Sequence, residues 1–239
     1  MSNIAIVFAG GTGKRMNTGS KPKQFLELHG KPILVYTLEE FNNHPEIDGI
    51  ILVILEDWIT YCEDIVKRFY LSKVKAIVPG GDTALQSQLY GLQKAEEIFG
   101  TDSIVLIHDG VRPLIDGDTI SKNIESVRKY GTAITTTPAI ETIAIKAETG
   151  EVGQIIERAK VEMARAPQSF FLRDILDAHK RADEEGLTFI DSASMMQHYG
   201  HKLYTVQGSP ENIKITTPND FYTFRALVDA KENSQIFGI

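Results

Sequence analysis

Ala9-Gly10-Gly11-Thr12-Gly13-Lys14-Arg15-Met16 follows directly on the apolar, β-branched run Ile4 to Phe8. Glycines at a strand end let backbone N–H groups approach a ligand without side chains in the way, and they form a concavity suited to an anion. Lys14, Arg15, Lys21 and Lys23 lie in or just after this loop. Several positive charges beside exposed amides suit a triphosphate and, if held rigidly, the extra charge of a phosphoryl-transfer transition state. The plainer alternatives are a tight turn and a solvated charged loop. Two better-known loops do not fit. A P-loop requires Gly at position 8 and Ser or Thr at position 15, where the chain has Phe8 and Arg15. The dinucleotide fingerprint requires Gly or Ala at position 16, where Met16 stands, which disfavours a dehydrogenase.

Further along, Asp109 follows the apolar run Ile104 to Ile107 and should therefore lie at the carboxyl edge of a sheet. A carboxylate there is the kind of oxygen ligand that Mg²⁺ shares with substrate phosphates and water. It could equally cap a loop or pair with Arg112. Lys214, in Asn-Ile-Lys-Ile-Thr, reads either as a phosphate-facing cation or as an outward residue on an alternating strand. Arg158 could simply pair with Glu157 or Glu162. His108 precedes Asp109, but no Ser or Cys nucleophile has a recognisable setting, so a hydrolase triad is unsupported. His44, His179, His198 and His201 show no metal spacing, and Trp58 and Cys62 read as packing residues.

The elements that must position these groups alternate. Ile4 to Phe8, Ile50 to Leu55, Val74 to Val78, Ile104 to Ile107 and Ala133 to Thr136 read as buried strands. Pro32 to Phe41 and Trp58 to Tyr70 carry helical spacing. The pattern predicts an α/β fold: a doubly wound, mostly parallel sheet with ligands beyond the carboxyl ends of its strands. Pro138 to Glu157 breaks the alternation with two strand-like stretches around Thr149-Gly150, expected as an arm at about 138–160 projecting from a single domain spanning 1–239. Asp174 to Glu185 and Asp220 to Lys231 read as helices and Leu203 to Val206 as a strand.

Composition narrows the function. The 239 residues carry a net charge of -7, which argues against nucleic acid as a partner, since duplex binding usually needs a basic surplus. The lone Cys62 excludes an intramolecular disulfide and a multi-cysteine zinc site, and suits a reducing cytoplasm. The longest apolar run, about Ile50 to Leu55, is far short of a membrane span, and the N-terminus has no basic region of the kind that opens a signal peptide.

A-G-G-T-G-K-R-M, followed by P-K-Q-F-L-E-L and G-K-P-I-L, resembles the cytidylyltransferases that activate polyol phosphates. The likeness continues through Gly80-Gly81-Asp82 with Ser87, His108 to Pro113, Glu141-Thr142, Glu157-Arg158, Ala166 to Phe170, Asp191 to Ser194 and Asn212-Ile213-Lys214. That family includes the 2-C-methyl-D-erythritol 4-phosphate enzyme of isoprenoid synthesis and the D-ribitol-5-phosphate enzyme of wall and capsule polymer synthesis. The Ala-Gly-Gly loop, Asp57-Trp58 and Glu63 to Val66 look closer to the ribitol-phosphate branch. The resemblance implies that Ala9, Gly10, Gly11 and Gly13 cradle CTP, with Gly80, Gly81, Asp82 and Ser87 at its cytosine and ribose. It implies Arg15, Lys23 and Lys214 around the α-phosphate and departing pyrophosphate, and Asp109 at Mg²⁺ and the nucleotide phosphates. It places Thr142, Arg158 and Asp191 on the polyol phosphate, and a homodimer in which the arm reaches across to the partner. Ala84, Ala166 and Ile190 depart from the family pattern, which has Arg, Thr and Thr there. The rival expectation is a nucleotide-binding protein that keeps the scaffold after losing the chemistry.

Overall fold

The computed structural model describes residues 1–10 and 21–237. In chain order the elements are β1 (Asn3–Phe8), β2 (Glu27–Leu28), β3 (Lys31–Pro32), α1 (Ile33–Asn43), β4 (Gly49–Ile54), α2 (Ile59–Arg68) and β5 (Val74–Pro79). They continue with α3 (Ala84–Phe99), β6 (Ile104–Asp109), α4 (Gly117–Tyr130), β7 (Thr132–Pro138), β8 (Ile143–Lys146) and β9 (Val152–Ile156). The last are β10 (Glu162–Phe171), α5 (Leu172–Glu185), α6 (Ser192–His198), β11 (Thr205–Gln207) and α7 (Pro218–Phe237).

The central sheet has seven strands in the order β11-β7-β10-β6-β1-β4-β5. All neighbours pair in parallel except β10, which runs antiparallel to both β6 and β7. Because every strand of β1, β4 and β6 is covered on both faces, each reads as a continuous apolar run rather than an alternating one. On one face α1, α2 and α4 supply Leu34, Leu38, Cys62, Ile65, Ile120 and Ile124 against Ala5, Val7, Leu52 and Leu106. On the other, α3, α5 and α6 supply Leu92, Ile175, Leu176 and Met196 against Ile4, Ile6, Val53 and Ile107. Each of these large aliphatic side chains contributes about 1.5–3 kcal/mol by leaving water. Gly91 lets α3 lie flat on the sheet, since a Cβ there would sit 2.7 Å from Ile6 and Val53. α7 closes one end, with Phe224 and Val228 packed on Leu28, Ile33, Val111 and Ile215.

β8 and β9 form a separate two-stranded hairpin turned at Gly150, whose φ of 94° an L side chain would resist. Their residues are mostly exposed, including Ile145, Val152 and Ile155. The expected helix at 32–41 is observed at Ile33–Asn43, that at 174–185 begins two residues earlier at Leu172, and the expected strand at 203–206 is shifted to Thr205–Gln207. The sequence gives no alternating or unbroken apolar run that marks β10, and Pro167 lies within it, where it has no N–H to donate to the sheet. The sheet accommodates that proline with a register shift against β7 between Ala164 and Gln168, and the Pro167 carbonyl there accepts from Thr135 Oγ1 at 2.7 Å.

Candidate active site

The carboxyl ends of β1 and β6, the start of α3, the irregular middle of β10 and the 209–217 loop converge on two adjoining cavities. One is lined by Ala9, Gly10, Lys23, Asp82, Ser87 and Val111, among others. The second is lined by Gln88, Arg112, Arg165, Gln168, Ile190 and Asp191, among others. Phe8, Ala84, Asp109 and Lys214 line both, so two ligands would meet at that border.

Asp109 is the electrostatic centre of the border. Its Oδ1 lies 2.6 Å from Lys214 Nζ and its Oδ2 accepts from Arg112 Nε at 2.8 Å. Burial pushes the carboxyl pKa up, but the two cations beside it win and hold it below the ordinary carboxylate value, so Asp109 is an anion at neutral pH. Asp109 is therefore poorly suited to act as a base. His108, fully buried behind it, is pushed down to about 4 by desolvation, so its ring is neutral. Its Nε2 lies 3.2 Å from the Arg112 carbonyl, which can only accept, so in this contact Nε2 carries the proton.

The 209–217 loop is pinned from several sides. Asn212 donates to the Ala166 carbonyl at 2.7 Å and, through its own carbonyl, accepts from Arg112 at 3.0 Å and Arg165 at 3.3 Å. Ile215 donates its N–H to Val111 and accepts from Lys23 Nζ at 2.9 Å. Asp220, at the start of α7, accepts from both N–H and hydroxyl of Thr216 and Thr217. Lys214 belongs to this braced loop rather than to an alternating strand, and its ammonium reaches Asp109 at the border of the two cavities.

On the glycine side, the Ala9 carbonyl accepts from Gln24 at 2.6 Å, which ties the loop's first residue to the 3₁₀ turn carrying Lys23. Gly81 donates its N–H to Ser87 Oγ at 3.1 Å, and a Cβ on Gly81 would lie 2.5 Å from the Gln86 side chain. Gly80 donates to the Ile54 carbonyl, and Ser87 Oγ donates to Thr83 at 3.0 Å. On the other side, Asp191 caps α6 by accepting from Ser194 N–H and also accepts from Gln168 at 2.7 Å. Gln168 in turn accepts from the Ala193 N–H.

The chain thus brings together Ala9, Gly10, Lys23, Gly81, Asp82, Ser87, Asp109, Asp191 and Lys214, with Gly80 behind Ser87 and lining neither cavity. Gly11, Gly13 and Arg15 lie outside the described residues. Thr142 and Arg158 line neither cavity: they flank the hairpin, with Arg158 donating to the Ile140 carbonyl at 2.9 Å. The sequence reading missed Arg165, Gln88 and Gln168 as lining residues and saw Arg112 only as a partner for Asp109. Arg165 and Gln168 follow from the irregular path of β10, which no periodicity announces.

A divalent metal was also expected at Asp109. Among the described residues the only cluster of three ligating groups is His29, Asp229 and Glu232, none of which lines either cavity. Each Asp109 oxygen holds one cation and keeps a further lone pair, so the residue fits an ion arriving on a triphosphate and does not build a cage alone. Among the described residues, no helix is long and apolar enough to cross a membrane.

The family model described as IspD: 2-C-methyl-D-erythritol 4-phosphate cytidylyltransferase matches residues 3–230. The chain belongs to this cytidylyltransferase family. It is 49% identical to a protein named ribitol-5-phosphate cytidylyltransferase from Streptococcus agalactiae serotype V, over all of both chains. It is 41% identical to one named 2-C-methyl-D-erythritol 4-phosphate cytidylyltransferase from Clostridium acetobutylicum, over 97% of this chain and 99% of that one. A crystal structure of 4-diphosphocytidyl-2C-methyl-D-erythritol synthase from Anaerococcus prevotii superimposes with a TM-score of 0.81 at 28% identity, covering 95% of this chain and 98% of that one.

Proposed function

We propose that the protein transfers CMP from CTP to D-ribitol 5-phosphate, giving a CDP-polyol and pyrophosphate. The observation that carries this reading is the meeting of two cavities at the Asp109–Lys214 pair, which suits a reaction joining two ligands. The 49% relative's name supports ribitol phosphate as the acceptor over the methylerythritol compound of the 41% relative.

CTP takes the cavity bounded by Gly10, Asp82 and Ser87, and the acceptor takes the one bounded by Gln168 and Asp191. An acceptor phosphate oxygen attacks the α-phosphorus in line. The new P–O bond forms as the bond to the β-phosphate oxygen breaks, and pyrophosphate leaves with that electron pair. Both phosphates are already ionised at neutral pH, so no protein base is needed. Lys23 and Lys214, with Arg15, compensate the charge that accumulates on the α-phosphate and leaving group. Asp109 fixes Lys214 and Arg112, and it is the residue that would hold Mg²⁺. When bound, Mg²⁺ supplies further charge neutralisation on the phosphates.

The test is pyrophosphate release from CTP with D-ribitol 5-phosphate or 2-C-methyl-D-erythritol 4-phosphate as acceptor. Ribitol phosphate should be the faster substrate. Faster methylerythritol turnover would reverse the acceptor, and calorimetric CTP binding without release from either would favour the non-catalytic reading.

We further propose a homodimer in which Thr142 and Arg158 serve the partner's acceptor cavity. Support comes from their position outside their own chain's cavities and from the exposed Ile140, Val152 and Ile155 on the same arm. Mixing inactive Arg158→Ala and Lys214→Ala proteins should restore activity through mixed dimers. Failure to restore it would keep the arm within its own subunit.

A further inference from the structure

In the acceptor-side cavity, Ala84, Ala164, Ala166 and Ile190 offer no side-chain hydrogen-bonding group, and Ile190 is 93% exposed at its rim. Among this chain's own residues, selectivity there falls to the few polar side chains left. Asp109, Lys214 and Arg112 are tied to one another, Gln168 is bonded to Asp191, and Ser192 donates to Gln88. Arg165 differs from all of these. Its Nε donates to Thr137 Oγ1 at 3.2 Å and its Nη1 to the Asn212 carbonyl at 3.3 Å, both neutral acceptors. Among the described residues no carboxylate pairs with it.

The same Asn212 carbonyl also receives Arg112 Nη1, so two guanidinium groups are drawn to one oxygen. Their mutual repulsion is real: burial first, and then the Arg112 charge, pull the Arg165 pKa down, although a guanidinium remains protonated at neutral pH. A half-buried cation beside a second cation, without a counter-charge, is stabilised by an anion entering the cavity. The planar fork suits a tetrahedral phosphate oxygen pair better than a neutral hydroxyl.

We infer that Arg165 is a phosphate-binding residue for the acceptor, holding the phosphate monoester that attacks CTP. The inference rests on the function proposed above and deepens it by naming a selectivity contact on this chain itself. The Thr137 hydroxyl and Asn212 carbonyl hold the guanidinium in place before substrate arrives, so little side-chain freedom remains to be lost on binding.

The test measures kcat and KM for each substrate in wild type, Arg165→Leu, Arg165→Lys and Arg165→Ala, with thermal midpoints as the folding control. Loss of a charge-assisted contact should raise the acceptor KM about ten- to a hundredfold. The CTP KM should be unchanged, Arg165→Lys should recover part of the loss, and added guanidinium ion should rescue Arg165→Ala and not Arg165→Leu. An unchanged acceptor KM would overturn the inference, as would a parallel rise in both KM values with a lowered midpoint. Should the wild type use no polyol phosphate at all, the enzyme reading fails separately. Calorimetry with inorganic phosphate still decides for Arg165: binding should weaken in Arg165→Leu, and equal binding refutes the contact.

Discussion

Replacing Lys214 with Gln separates chemistry from stability because of how its ion pair is built. The ammonium lies 2.6 Å from Asp109 Oδ1, but the Lys side chain is 41% exposed and Asp109 keeps Arg112 on its other oxygen. The buried carboxylate is therefore not orphaned, and with solvent screening on the Lys side the folding cost should be only about 1–2 kcal/mol. For a domain of this size that is a fall of roughly 2–8 °C in Tm. The kinetic cost is larger: removing one preorganised charge from the reacting centre should lower kcat about 10²–10³-fold, equivalent to roughly 2.7–4 kcal/mol. Burial raises the Asp109 pKa and Lys214 is the foremost influence lowering it, so the acid limb of the pH–rate profile should move to higher pH in the variant. Pyrophosphate release measured from pH 4 to 9, beside calorimetric Tm, checks both. A kcat within tenfold of wild type, or a Tm drop far beyond this range with kcat scaling only with folded protein, would refute the reasoning.

Lys23→Ala should likewise lose about 10²–10³-fold in kcat, since Lys23 is only 9% exposed and its Nζ is held by the Ile215 carbonyl; near-normal turnover excludes the role. His108 and His179 are each pushed down to about 4 by burial, against 6.5 in the unfolded chain. The folded state keeps both neutral while the unfolded state takes up protons, so their stabilisation is complete above pH 6.5 and is lost as pH falls towards 4. The loss is on the order of 3 kcal/mol per histidine, and equal urea midpoints at pH 7.5 and 4.5 would contradict it. Cys62 is buried and its thiol is pushed up to about 12, so it should resist thiol reagents in the native protein and react once unfolded; rapid native labelling would disprove its burial.

Much of this architecture was legible because buried parallel strands leave a plain trace. β1, β4 and β6 read through apolar runs, and those of β1 and β6 lead directly to Ala9 and Asp109. That alone located Ala9 and Asp109. β10 was illegible for the opposite reason: a proline and a register shift mask its pairing, so Arg165 and Gln168 gave no sign of facing a cavity. Lys214 was ambiguous because a lone lysine in an apolar stretch has the same spacing whether it faces water or a carboxylate. Its place depends on Asn212 and Ile215 tying an irregular loop to distant Ala166 and Val111, and on Asp220 bracing that loop locally.

That bracing gives the molecule an order of completion. Every strand of the large sheet is present once Gln207 has been made, yet the carbonyl that steadies Lys23 comes 192 residues after it, at Ile215. The reaction centre is therefore completed only after every strand of that sheet has been made. A nascent or clipped chain ending before Asn212 would carry a nearly finished scaffold that lacks both Lys214 and the carbonyl that steadies Lys23.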